Sequence, residues 1–477
     1  MHEKSNTRNE APQAGEGLIS HWRGERAQSS VIKGDGLSLS IVIPSPLCYS
    51  LNDLCPMEKI KKTTLENGLT IVTEQLPHVR SVSLGVWLRS GSRRETREQN
   101  GIAHFIEHML FKGTRNRSAE EIARAVDSIG GNLDAFTAKE CTSFSIKVLD
   151  EHLKFAIDLV SDLVLNPRLD PKAIDKERGV VLEEIKMVED TPDDLVHELL
   201  VQNFWKNHPL GWPILGTEKT IARIERRQLE KYFRECYVPK NMIVAAAGCL
   251  DHLRLVGWIE RKFGRLNHSP APPKSPAPQS FAEIITRNKR SLEQVHLCLG
   301  MPSYPLTHPN RHATYVLNTI LGGGMSSRLF QNIRERRGLA YTVFSNLDPY
   351  SDTGCLSIYA ATAPKSTKQT IALILQEMKK MTASRVSKEE LVRAKEHLKG
   401  GLVLGLESTG SRMANLARQE LYFGTYSSIS QMMRSIDRVS ADEVREVARD
   451  SFNPRKIALS LVGKLNGIQV RRSQLGS

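Results

Sequence analysis

Two histidines and a glutamate stand within five residues of the otherwise apolar stretch NGIAHFIEHMLFKG, Asn100 to Gly113. From Ile102 to Phe111 there is neither Pro nor Gly and most residues favour helix. At about 100° per residue, His104, Glu107 and His108 then fall within an arc of roughly 100° and converge on one point beside the helix. Two imidazoles one turn apart can grip a zinc ion, and the carboxylate beside them is placed to take a proton from water. The competing reading is a pair of core histidines with an exposed glutamate. Burying such groups among Phe105, Ile106 and Met109 without partners costs several kcal/mol, and the sequence advertises no satisfying groups. The His-x-x-Glu-His order is the reverse of the commoner zinc-peptidase arrangement.

A catalytic zinc needs a third protein ligand and one open position. The segment DPKAIDKERGVVLEEIKMVEDTPDD offers Glu177, Glu183, Glu184 and Glu189. Asp170 is placed to cap this helix, with Pro171 in its first turn. Its apolar stripe runs through Ile174, Val181, Ile185 and Val188. Glu177 and Glu184 lie along one margin of that stripe, whereas Glu183 projects from the opposite side into solvent. Two acids facing the core ask for a cation; a surface row of salt bridges is the alternative.

The elements that position these groups follow from the pattern of the rest of the chain. The proline-rich stretch NHSPAPPKSPAPQS, Asn267 to Ser280, reads as a semi-extended, flexible linker between two halves of similar length. The halves echo each other: YFRECYVPKNMIVAAAG ends the first and VARDSFNPRKIALSLVG the second, and upstream each shows a strand pair followed by an amphipathic helix. A repeat that long points to a duplicated domain. Strands at Gly68–Thr73, Val82–Arg89, Ser143–Leu149 and Met242–Ala247 alternate with longer helical patterns, and Asn67-Gly68 marks a hairpin. The expected fold class is α+β: two homologous sandwich domains, helices packed on a mainly antiparallel sheet, facing each other as a clamshell. The expected layout is an N-terminal extension over 1–56 that is disordered or a mis-assigned start, a metal-binding domain over 57–266, the linker over 267–280, a second domain over 281–465 and a short tail.

Composition is that of an ordinary globular protein of 477 residues, too long for one core. The formal charge of +13 is spread among acids without a dense basic run, so no nucleic-acid partner is expected. Cys48, Cys55, Cys141, Cys236, Cys249, Cys298 and Cys355 form no C-x-x-C pair and read as reduced thiols. No secretory signal or transit peptide is evident, and the apolar run LSLSIVIPSPL is too short to span a bilayer. A cytoplasmic, bacterial location without membrane contact is the expectation. The Gly322-Gly323-Gly324 run lacks the Gly-Lys-Ser/Thr of a phosphate loop.

On the His104–His108 motif, the acid-bearing helix and the paired halves, the chain resembles the pitrilysin (inverzincin) family of metallopeptidases, in particular its processing-peptidase-like branch. The resemblance covers Met57 to Gly463. It implies a zinc endopeptidase in which His104, His108 and Glu184 hold one Zn²⁺, Glu107 is the general base and Glu177 is a supporting acid. It also implies that Arg334 and Tyr341 reach from the second half to hold the substrate backbone and stabilise the tetrahedral intermediate. An extended substrate would add to the edge strand in NLDAFTAKECTSF through Ala135, Phe136 and Thr137, where Asp134 replaces the family's usual Asn. Unfolded or short polypeptides are the implied substrates and a homodimer the implied assembly. A non-catalytic family member acting as a zinc-stabilised polypeptide-binding or scaffold subunit is the alternative; non-catalytic relatives have typically lost the metal residues, and a structural zinc would call for a fourth protein ligand.

Overall fold

The computed structural model describes residues 59–267, 270 and 275–476. The expected extension over 1–56, Cys48, Cys55 and most of the N-terminal part of the proline-rich stretch lie outside the described residues. The first half opens with a hairpin: Asn67 and Gly68, the latter at φ 91°, turn β1 (Lys59–Thr64) back onto β2 (Thr70–Gln75). Then come β3 (Ser81–Leu88), α1 (Ile102–Leu110), α2 (Ala119–Asp127), β4 (Asn132–Thr137) and β5 (Thr142–Leu149). After them run α3 (Leu153–Leu165), α4 (Pro171–Asp190), α5 (Pro192–Phe204), α6 (Glu218–Ile221), α7 (Arg226–Cys236), β6 (Met242–Gly248) and α8 (His252–Phe263).

The second half holds β7 (Ile284–Asn288), β8 (Val295–Ser303), α9 (Arg311–Gly322), a π-helical turn at Phe330–Glu335, β9 (Ala340–Pro349) and β10 (Gly354–Thr362). It continues through α10 (Thr367–Ala383), α11 (Lys388–Gly405), α12 (Thr409–Tyr422), α13 (Ile429–Asp437), α14 (Ala441–Ser451) and β11 (Ala458–Gly463).

The two sheets share one topology. The first runs β1-β2-β6-β3-β5-β4 and the second β7-β11-β8-β10-β9, so the last strand of each half is inserted in the same place. In both, that strand is parallel to one neighbour, β2 or β7, while every other pairing is antiparallel. The α+β fold with two related sheets expected from the repeat is what the chain adopts.

β6 and β10 are buried along their whole length because each sheet is covered on both faces. On β6, Val244 and Ala246 face the layer that contains α1, α3 and α8, whereas Ile243, Ala245 and Ala247 face α12 through Met413, Leu416 and Ala417. α12 belongs to the second half of the sequence. The exchange is reciprocal: α5, from the first half, lays Leu195, Val196, Leu199 and Phe204 against Cys298, Tyr359, Ala458 and Val462 of the second sheet. Polar ties reinforce it. Glu420 of α12 pairs with Lys62 at 2.8 Å and Arg89 at 3.0 Å, and Thr409 Oγ1 lies 2.9 Å from Ser83 Oγ.

The described end of the proline-rich stretch is held rather than free. Arg93, almost fully buried, donates to Ser275 Oγ at 2.9 Å and to the Pro276 carbonyl at 3.1 Å. The same guanidinium reaches Glu140 at 2.8 Å and Asp352 at 2.7 Å, and Glu140 in turn accepts from Ser351. One side chain therefore ties the β4–β5 turn, the linker and the β9–β10 turn together.

α1 starts at Gly101, whose φ is 96° and whose side offers no room: an added Cβ would meet Gly216 Cα and the Leu215 carbonyl at 2.8 Å. A glycine there cannot cap the helix with a side chain, and Glu95 does so instead. Its buried carboxylate accepts from Gly101 N at 2.8 Å, Ala103 N at 2.9 Å and Asn100 Nδ2 at 2.9 Å. Burial nevertheless pushes its pKa up to about 7 against those donors.

Two outcomes follow from these contacts. Leu416, 1 % exposed, should cost about 2–5 kcal/mol when changed to Ala, and chemical denaturation should show the midpoint of the whole chain moving rather than that of a separable C-terminal half. For Glu95 the folded pKa lies above the unfolded one, so its contribution is complete at low pH and is lost as pH rises through about 7. Between pH 4 and 8 the wild type should therefore lose up to roughly 3 kcal/mol relative to Glu95→Gln, read from denaturation curves at each pH.

Candidate metal centre

α1 buries Ile102, Ala103, Phe105, Ile106, Met109 and Leu110, which leaves His104, Glu107 and His108 on its remaining face. That face meets α4. The N-terminus of α4 forms as its sequence dictates: the Asp170 carboxylate accepts from Lys172 N and Ala173 N, and Pro171 sits at the first position. The apolar margin turns Glu177 inward, 1 % exposed, while Glu183 stays in solvent paired with Lys186.

The two helices run antiparallel along the seam, so His108 stands opposite Glu177 and both histidines border Glu184. His104 Nε2 lies 3.7 Å from Glu184 Oε2, and His108 Nε2 lies 3.6 Å from Glu184 Oε1. The histidine rings are 4.6 Å apart, and the ligand atoms of His104, His108 and Glu184 all fall within 4.8 Å of one another. Around a tetrahedral zinc with bonds of about 2.0–2.1 Å, neighbouring donor atoms stand roughly 3.3–3.4 Å apart. The two histidine–Glu184 spacings need to contract by only a few tenths of an ångström. Glu184 Oε2 and His104 Nδ1 are also buried without a hydrogen-bond partner among the described residues, an arrangement expensive without a cation for the carboxylate. The donor set fits zinc on both grounds.

Glu177 supports the cluster from its far side. Its carboxylate lies 3.2 Å from His108 Nδ1 and 2.9 Å from Lys112 Nζ. With the imidazole proton on Nδ1 and donated to Glu177, the Nε2 lone pair of His108 faces Glu184. The electrostatics separate the two acids. Burial raises Glu184, whereas Glu177 is held below the usual carboxylate range because hydrogen bonds from His108 and Lys112 outweigh its burial. Burial, with the charge of His108, depresses His104 to about 3, which keeps its ring a neutral lone-pair donor. His108 is raised despite burial by Glu177, Glu184 and Glu107. Glu107 is pushed up to about 7 by burial, opposed by a hydrogen bond from Thr137 Oγ1.

Thr137 ends β4, which borders the first sheet and pairs only with β5 among the described strands. Ala135 and Phe136 precede it. The Phe136 ring turns to the opposite face and packs edge-on against Trp87, centroids 5.3 Å apart, so that residue offers its backbone and not its side chain to this side. Asp134 is exposed by surface area, yet the atoms packed around its carboxylate desolvate it enough to raise its pKa.

Arg334 and Tyr341 are brought to each other: the guanidinium sits 4.9 Å from the tyrosine ring and 4.6 Å from that of Phe330. Tyr341 is 74 % exposed, so it is not a core tyrosine. Among the described residues neither makes a hydrogen bond to the histidine cluster. Glu95 and Lys112 belong to the site without having been singled out from the sequence. For Lys112 the signal was present, one turn after His108; for Glu95 it was an acid shortly before a helix that begins with glycine.

Two family models match the chain: "Insulinase (Peptidase family M16)" over residues 70–218 and "Peptidase M16 inactive domain" over residues 223–398. The uncharacterized zinc protease YmxG of Bacillus subtilis is 41 % identical over 403 residues, covering 84 % of this chain and 98 % of the relative. An uncharacterized zinc protease of Streptomyces coelicolor is also 41 % identical, over 420 residues, covering 87 % of this chain and 91 % of the relative. Among solved structures, a protease from Helicobacter pylori superposes with a TM-score of 0.79 at 22 % identity, covering 85 % of this chain and all of that one. A peptidase M16 inactive domain from Pseudomonas fluorescens gives 0.80 at 21 %, covering 85 % and 97 %; both show likeness of fold. With family matches across most of its length and relatives above 40 % identity over nearly their entire chains, this protein belongs to the insulinase (M16) peptidase family.

Proposed function

We propose that the chain is a zinc-dependent endopeptidase that hydrolyses unfolded or short polypeptides bound in extended form. The observation that carries this reading is the convergence of His104, His108 and Glu184 at 3.6–3.7 Å with Glu107 on the same helix face, beside a sheet edge. The relatives named zinc proteases support it.

His104, His108 and Glu184 would hold one zinc ion, which supplies Lewis acidity toward a water molecule and the scissile carbonyl. Glu177 holds His108 by its Nδ1 and so fixes which nitrogen faces the ion. Lys112 keeps Glu177 charged. Glu107 takes the proton of the attacking water and passes it to the leaving amine nitrogen. The backbone of Ala135, Phe136 and Thr137 pairs with the substrate as an added strand. Arg334 and Tyr341 supply donors to the substrate carbonyls from the second half. No helix among the described residues is long and apolar enough to cross a membrane. A homodimer in the cytoplasm is part of the same proposal.

Glu107→Gln should retain one zinc per chain by atomic emission while cleavage of a quenched peptide library falls by roughly 10²- to 10⁴-fold. Full activity in a zinc-loaded Glu107→Gln protein would sink the assignment. Glu177→Gln should weaken zinc binding by about 10- to 100-fold, measured by competition with a chromophoric chelator; an unchanged affinity would remove Glu177 from the support of His108.

A further inference from the structure

We infer that Thr137 is a positioning residue for the peptidase reaction: its hydroxyl fixes the Glu107 carboxylate with one oxygen free for water, joining base alignment to the strand on which the polypeptide pairs. The inference rests on Glu107 being the proton acceptor proposed above.

The geometry begins with strand alternation. Leu133 and Ala135 turn to the core that contains α1, and Phe136 turns to the opposite face against Trp87. Thr137 shares the face of Leu133 and Ala135. Its backbone, opposite Thr142 of β5, stays at the edge of the sheet while its side chain reaches α1. There Oγ1 donates to Glu107 Oε2, the one hydrogen bond the carboxylate makes among the described residues. Oε1 remains for the water.

A glutamate projecting from a helix keeps several rotamers, and the helix backbone fixes only its first bond. A half-buried carboxylate with a single donor is held by that donor. Because the donor sits at the end of β4, a displacement of the strand carries the base with it, and a polypeptide pairing along β4 meets a carboxylate already oriented. A residue that merely packs β4 against α1 would look different: its loss would change substrate binding and stability rather than turnover.

The test compares Thr137→Val, which keeps the shape and loses the donor, with Thr137→Ser, which keeps the donor and loses a methyl. Turnover and KM are measured on a quenched peptide with the zinc-loaded protein. Zinc content, and the Kd of the same peptide for metal-free protein by fluorescence anisotropy, are measured alongside. Thr137→Val should lower kcat by roughly 10- to 100-fold, the range expected when a hydrogen bond to a charged group is lost. KM, zinc content and peptide Kd should stay within about twofold. Thr137→Ser should recover most of the turnover. The inference is overturned by wild-type kcat in Thr137→Val, by equal losses in both variants, or by a change confined to KM and Kd. An active Glu107→Gln protein would overturn the parent reading as well, whereas an inactive one beside a fully active Thr137→Val overturns only the role of Thr137.

Discussion

The antiparallel seam between α1 and α4 is the constraint to which the rest of the molecule answers. Five ionisable side chains, His104, Glu107, His108, Glu177 and Glu184, meet there largely out of solvent, so desolvation presses each toward neutrality and the outcome depends on its partner. Glu177 and Glu184 are the same residue type on the same margin of one helix. Glu177 has Lys112 and His108 and is held ionised; Glu184 has only the open side of two imidazoles and an unpartnered oxygen. The difference between them comes from what stands opposite, not from the acids themselves.

Holding that seam requires the ends of α1 to be fixed, and the chain does so with groups outside the motif. The Glu95 carboxylate takes the first N–H groups of α1, and the tight contact at Gly101 sets the angle at which the helix enters the layer. At the other end Lys112 pins Glu177. A rotation of α1 by a fraction of a turn would separate His104 from Glu184, so these contacts bear on the centre through the helix and through Glu177.

The exchange of α5 and α12 gives the two halves a common stability. Each sheet would present an apolar face to water if the halves were separated: Ile243, Ala245 and Trp87 on one, Cys298, Tyr359 and Val462 on the other. The Arg93 node adds a polar tie between the same halves with every guanidinium nitrogen engaged. The second half thereby stays placed relative to the first while keeping the shared topology without the His-x-x-Glu-His motif. Its border strand β9 corresponds in order to β4, and it carries Tyr341 where the first half carries its edge segment. Arg334 reaches Tyr341 because the chain reverses at Gly338, φ 59°, between the π-helical turn and β9.

Much of this was legible in the residues alone. Helical periodicity placed His104, Glu107 and His108 on one face and set Glu177 and Glu184 apart from Glu183; these are local regularities, fixed by 3.6 residues per turn wherever a helix forms. The Pro and Gly signals marked the ends of the repeated halves for the same reason. Long-range partners were not legible, because nothing local specifies them. Periodicity cannot say that α12 covers the first sheet, that the Thr137 hydroxyl lands on Glu107, that a glutamate before the motif caps its helix, or that Arg93 gathers two distant turns and the linker. Those are decided by which surfaces meet when the apolar faces are buried. The sequence by itself determined which side chains share a helix face, and only packing decided which of them face one another across the seam.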